Sequence, residues 1–144
     1  MKSVADILKS KADHHIHTVA PTATVLEAIS LMADKGIGAL IVIEGEQVVG
    51  MVSERDYARK VALMERSSYN TQVCEIMSSD VKTVTPAQSN EFCMTLMTEN
   101  RLRHLPVLDN GKLVGLISIG DLVKDIISDQ KSMIRHLEQY IRGE

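Results

Sequence analysis

The chain has 144 residues, 44 % of them hydrophobic but only 3 % aromatic, and a net charge of −3. That length and apolar content suit one compact domain or two small units sharing a core, while Phe92 as the sole phenylalanine and the lack of tryptophan leave no aromatic platform for single-stranded nucleic acid. With −1 over residues 1–70 and −2 over residues 71–144, there is no basic field to recruit DNA or an anionic membrane.

Met1 to Lys11 alternates charged and apolar residues instead of opening with a basic-then-apolar signal. No apolar run approaches the length of a bilayer span. Cys74 and Cys93 lack CxxC spacing and any metal-ligand pattern, which points to a reducing compartment. A cytoplasmic protein is expected.

In chain order, Thr18-Val19-x-Pro21 forms a short extended piece, because proline disfavours helix at the residue before it. Thr24-x-x-Glu27 has the pattern of a capping box, and Val25, Ala28, Ile29 and Met32 follow at helical spacing. Ala39 to Ile43 is a continuous apolar run, as a strand covered on both faces requires. A polar turn, Glu44 to Gln47, leads to a second strand, Val48 to Ser53, and a helix starts near Glu54. After the polar stretch 65–72 the same order returns. Residues 16–60 and 81–125 align at an offset of 65 with eleven identities, where roughly three are expected by chance. Ser89 is the second helix cap, and Cys93, Leu96 and Met97 carry its stripe. Asp109-Asn110-Gly111-Lys112 is a hairpin signal, and the last repeated helix starts near Ile119. A shorter echo, Val4-Ala-Asp-Ile7 answering Val73-Cys-Glu-Ile76, precedes each copy. Outside the repeat, Met133, Ile134, Leu137 and Ile141 share one helical face and need a partner surface, either the core or a second subunit.

A unit of about 65 residues has a marginal core, so two copies that complete each other are the natural solution. The sequence predicts an α+β protein of two β-α-β-β-α repeats packed through their sheets about a pseudo-twofold. Its expected divisions are residues 3–66, 73–128 and a C-terminal amphipathic helix over 129–144.

Polar residues kept in both copies are the most informative, because a core does not require them. Ser53-x-x-Asp56 and Ser118-x-x-Asp121 fall where a strand ends and a helix begins. One role is structural, an N-cap that satisfies backbone donors. The other is recognition: a helix start offers N–H groups and partial positive charge to phosphate, and an aspartate can accept from the two hydroxyls of a ribose. Thr18 and Thr83, each just ahead of a proline, can add hydroxyl contacts.

The duplicated T-V-x-P, the apolar strand, the V-G-containing strand and the S-x-x-D helix start resemble a pair of CBS domains, over roughly residues 3–128. Ser53 to Lys60 and Arg103-His-Leu-Pro-Val107 are similar to small stand-alone CBS-pair proteins of bacteria and plant organelles. The resemblance implies a regulatory module, commonly a disc-like homodimer, that binds adenine nucleotides (AMP, ADP, ATP, sometimes NAD or S-adenosylmethionine) and signals energy or redox state to a regulated protein. Carried onto this chain, one cleft joins Thr18 and Ile37-Gly38-Ala39 to Ser118 and Asp121. The other joins Thr83 and Leu102-Arg103-His104 to Ser53 and Asp56. Arg103 suits phosphate, since a guanidinium matches two phosphate oxygens. Arg55 within the first S-x-x-D is replaced by Gly120, so the two sites are expected to be inequivalent.

Other functions are weaker. His14-His15-x-His17 has imidazoles close enough for a transition metal, yet it lacks a closing ligand, and no metal site is assigned. No Ser/His/Asp grouping, P-loop or G-x-G-x-x-G is present, so no catalytic residues or catalytic cofactor are assigned, His104 being the sole base available to an enzyme acting on nucleotides. The competing possibility is a constitutive dimeric interaction protein whose clefts no longer bind ligand.

Overall fold

A computed structural model describes residues 2–11 and 15–143. The chain divides into two compact units, one comprising Met1–His14, Thr83–Asp109 and Val114–Glu144, the other His15–Lys82 and Asn110–Leu113.

The first copy supplies β1 (Thr18–Val19), α2 (Val25–Lys35), β2 (Ala39–Glu44), β3 (Gln47–Ser53) and α3 (Glu54–Tyr57). The strands form a sheet in the order β1-β2-β3, with β1 parallel and β3 antiparallel to β2. α2 forms as its sequence requires: Thr24 Oγ1 accepts the Glu27 N–H at 3.2 Å, and the helix ends at Gly36 with a left-handed φ of 65°. Val25, Ala28 and Met32 face a core shared with Leu40, Val42 and Val52, while Ile29 is only partly buried against it. After α3 the helix widens into a π-helical turn over Ala58–Ala62, a feature the sequence pattern does not signal.

The second copy repeats this with α4 (Asn90–Asn100), β4 (His104–Asp109), β5 (Lys112–Ser118) and α5 (Ile119–Arg142). Its first strand is reduced to one parallel bridge, Val84 to Val107. Asn110 and Gly111 both have positive φ, 51° and 81°, as a tight hairpin turn demands. The left-handed residue that closes α4 is Arg101, where the first copy has Gly36.

The echo segments cross over. α1 (Val4–Ser10) precedes the first copy, yet Val4 and Ile7 are buried with Val84, Cys93, Leu105 and Ile117 of the second. Val73 and Ile76, on and just after a 3-10 turn (Val73–Glu75), lie in the first-copy core. The same backbone bonds hold both in place. Val4 N–H donates to Gln88 O and Val73 N–H to Ala23 O, each at 2.8 Å, while Ala5 N–H reaches Pro86 O and Cys74 N–H reaches Pro21 O at 2.9 and 3.0 Å. This crossing also explains the glycine shared by β3 and β5. A Cβ on Gly50 would stand 2.6 Å from Met77 Sδ and 2.9 Å from Ser78 O, and one on Gly115 would stand 2.6 Å from Leu8 Cδ2.

The C-terminal segment is not a separate helix. α5 runs unbroken from Ile119 to Arg142, and the face carrying Met133, Ile134, Leu137 and Ile141 is 55–82 % exposed, not folded onto the chain's own core. Val123, Ile127, Ile134, Leu137 and Ile141 recur at spacings of four, seven, three and four, with Gln130 completing a coiled-coil-like seam.

Candidate functional site

In each copy a strand ends on the serine of S-x-x-D, whose extended backbone starts the next helix. In the first, the Ser53 N–H donates to Asp56 Oδ2 at 2.9 Å, and Ser53 Oγ accepts the Asp56 N–H at 3.2 Å. In the second, the corresponding distances between Ser118 and Asp121 are 2.8 and 3.2 Å. These are reciprocal capping boxes, so the structural role is met twice. It does not exhaust the carboxylates, which keep further lone pairs and are 15 % and 14 % exposed.

The segment before each central strand is tied to its own copy's helix start. Gly38 O accepts the Glu54 N–H at 3.0 Å, and Arg103 O accepts the Ile119 N–H at 2.9 Å. Ala39 lies opposite Ser53 across the β2–β3 ladder. Thr18 lies opposite Ile41 on the neighbouring strand, which places Thr18, Gly38, Ala39, Ser53 and Asp56 toward one end of one sheet. Thr83 is exposed, one residue before the Val84 bridge. Ile37 and Leu102 pack partly buried against their own units' cores, so their side chains are committed there. Arg55 and Arg103 are exposed. Burial holds the His104 imidazole below its usual pKa; Asp121 opposes this, and Lys11 and Arg103 reinforce it.

Two lysines that the motif reading missed complete the geometry. Lys60 Nζ lies 3.3 Å from Asp56 Oδ1 and donates to Ile76 O at 2.8 Å. Lys11 Nζ lies 3.1 Å from Asp121 Oδ2 and donates to Leu116 O at 2.8 Å. Lys60 was visible in the sequence as an i,i+4 partner of Asp56. Lys11 was not, since it comes from the crossed-over α1 segment. Both lysines give the carboxylate a positive neighbour beside a helix start, an arrangement able to hold hydroxyls and phosphate together.

A model of the family described as "CBS domain" matches residues 4–63 and 73–128. The chain belongs to the CBS-domain family. It is 38 % identical to the mitochondrial CBS domain-containing protein CBSX3 of Arabidopsis thaliana, over 98 % of this chain and 72 % of that protein. To the CBS domain-containing protein YhcV of Bacillus subtilis it is 33 % identical, over 92 % and 91 %. A solved structure of a protein with CBS domains from Burkholderia ambifaria superposes with a TM-score of 0.85 at 60 % identity, covering 90 % of this chain and 96 % of that one. The α+β organisation in two CBS repeats therefore stands.

The remaining motifs fall away from this CBS pair's candidate site. His14 lies outside the described residues; the rings of His15 and His17 stack with centroids 6.3 Å apart, and no group of three or more metal-ligating side chains forms among the described residues. Cys74 is exposed and Cys93 buried, both as thiols, and burial pushes the Cys93 thiol up. No helix among the described residues is long and apolar enough to cross a membrane.

Proposed function

We propose that this CBS pair is a cytoplasmic regulatory module that binds adenine nucleotides (AMP, ADP, ATP or NAD(H)), senses energy or redox state and signals to a partner protein. One observation carries the reading: both copies hold a part-buried aspartate at a helix start, fixed by its serine and flanked by a lysine. A ribose diol donates to such a carboxylate, and phosphate is attracted to the N–H groups and ammonium beside it. The proposed ligand contacts are Thr18, Ile37, Gly38, Ala39, Ser53, Arg55, Asp56, Thr83, Leu102, Arg103, His104, Ser118 and Asp121. The module is not an enzyme: binding must differ between two states of the protein for occupancy to be read.

Calorimetric titration with AMP, ATP, NAD and NADH tests this. Asp56→Ala and Asp121→Ala are each expected to weaken one site by about 1–3 kcal/mol, the cost of leaving a buried diol unpaired. Affinities unchanged in both variants, or no binding by any nucleotide, would sink the proposal.

The exposed seam on α5 favours a homodimer as the unit that signals. It equally serves the alternative, a constitutive interaction protein with non-functional clefts. Light scattering separates the two when combined with titration: Ile134→Lys/Leu137→Lys should give monomers, and the nucleotide reading additionally requires binding in the wild-type dimer.

A further inference from the structure

Within the unit that holds the second copy, a cavity of about 530 Å³ opens between α1 and α5. Lys2, Lys11 and Lys124 line it together with Asp121 and Asp125. Their charges are unequally engaged. Lys11 is held by Asp121 and Leu116 O, and Asp125 is buried with Oδ2 accepting from Asn90 Nδ2 at 2.7 Å. Lys2 and Lys124 are exposed and make no ion pair among the described residues. The hydroxyls of Ser10 and Ser128 complete the polar lining. Two uncommitted ammonium groups on a cavity that begins at Asp121 favour an extended anion over a compact one.

We infer that this cavity receives the phosphate chain of a nucleotide whose ribose is held by Asp121, so that the site at Asp121 selects nucleoside di- and triphosphates over monophosphates. This rests on the adenine-nucleotide reading above. The first copy lacks one of these two cations. Arg59, exposed, matches Lys124, but the residue matching Lys2 in the echo is Thr71, which is buried, and Lys60 is already held by Asp56 and Ile76 O. Both cations together occur only beside Asp121, and the selection is assigned to that site.

The experiment is calorimetric titration of the full chain with AMP and with ATP, without divalent cation. ATP is expected to bind one of two sites about tenfold more tightly than AMP, with the advantage shrinking as salt rises. In Lys2→Ala/Lys124→Ala, two exposed positions whose loss leaves the core intact, ATP should fall to the affinity of AMP while AMP binding is unchanged. Asp56→Ala should retain the ATP advantage. Equal affinities for AMP and ATP in the wild type, or an ATP advantage that survives the double lysine variant, would overturn the cavity inference alone. Failure of both nucleotides to bind would overturn it together with the reading on which it rests.

Discussion

In the first copy, Val25 is buried at the start of α2, and Lys60, nearly half exposed, reaches out to a carboxylate and a carbonyl. The matching positions of the second copy are Asn90 and Asp125, both buried, joined at 2.7 Å, with Asn90 also donating to Leu122 O at 3.1 Å. The backbone framework of the two copies is nearly the same, down to individual hydrogen bonds, so the polar pair is not needed to build the fold. Burying it has a cost: Asn90 Oδ1 and Asp125 Oδ1 find no protein donor among the described residues. Such a pair fixes how α4 meets α5 more than it adds net stability, because an apolar pair would fill the same place without desolvating a carboxylate.

The comparison breaks most readily at that pair. Asn90→Ala removes both donated bonds and leaves Asp125 buried without its partner, so a loss of about 3 kcal/mol is expected in denaturant unfolding. Importing the first copy's residues, as Asn90→Val/Asp125→Lys, should recover most of it. A double variant as unstable as the single would show that the second copy depends on its polar pair after all. The shared glycines sharpen the contrast next. Gly50→Ala meets a backbone carbonyl, which cannot move aside, and should cost about 2–3 kcal/mol. Gly115→Ala meets only the end of Leu8, a flexible side chain, and about 1 kcal/mol is expected. Equal melting temperatures for the two variants would contradict the difference in packing.

The smallest effect concerns His104, where the first copy has Ala39. Burial lowers the folded-state pKa from 6.5, so the unfolded chain takes up protons that native His104 resists. Stability from this group is complete above the unfolded pKa and is lost as pH falls from 7 toward 5. His104→Gln should flatten that part of the melting-temperature profile, and an unchanged slope would assign it elsewhere.

Periodicity and the repeat made most of the fold legible. The stripes of α2 and α4, the two hairpins and the two S-x-x-D helix starts follow from spacing and cap chemistry that act within a few residues. What local pattern could not carry was any pairing set by distant segments. Val4 and Ile7 read as an echo of Val73 and Ile76, but nothing in either stretch says that each packs on the copy it does not precede. The same limit hid Lys11, whose carboxylate partner is 110 positions away. Asn90 and Asp125 were unreadable for another reason: Asn90 falls where a helix start makes asparagine unremarkable, and Asp125 looks like one more charge on an amphipathic helix. The continuity of α5 was masked by the end of the repeat, although no glycine or proline interrupts residues 121–142.

The crossing of the echo segments also sets an order of events in time. His15 to Lys82 contains nearly all of the first-copy unit, so that core can close while the remainder of the chain is still being made. The other unit takes its first helix from residues 4–10 and its last from residues 119–142, and α1 must wait for residues 84–122 before Val4 and Ile7 find cover. Contacts of such long sequence separation form slowly, since loop closure precedes any gain from burial. Synthesis therefore presents the first-copy core before the second, which is sealed when residues 4–10 close onto segments made more than 70 positions later.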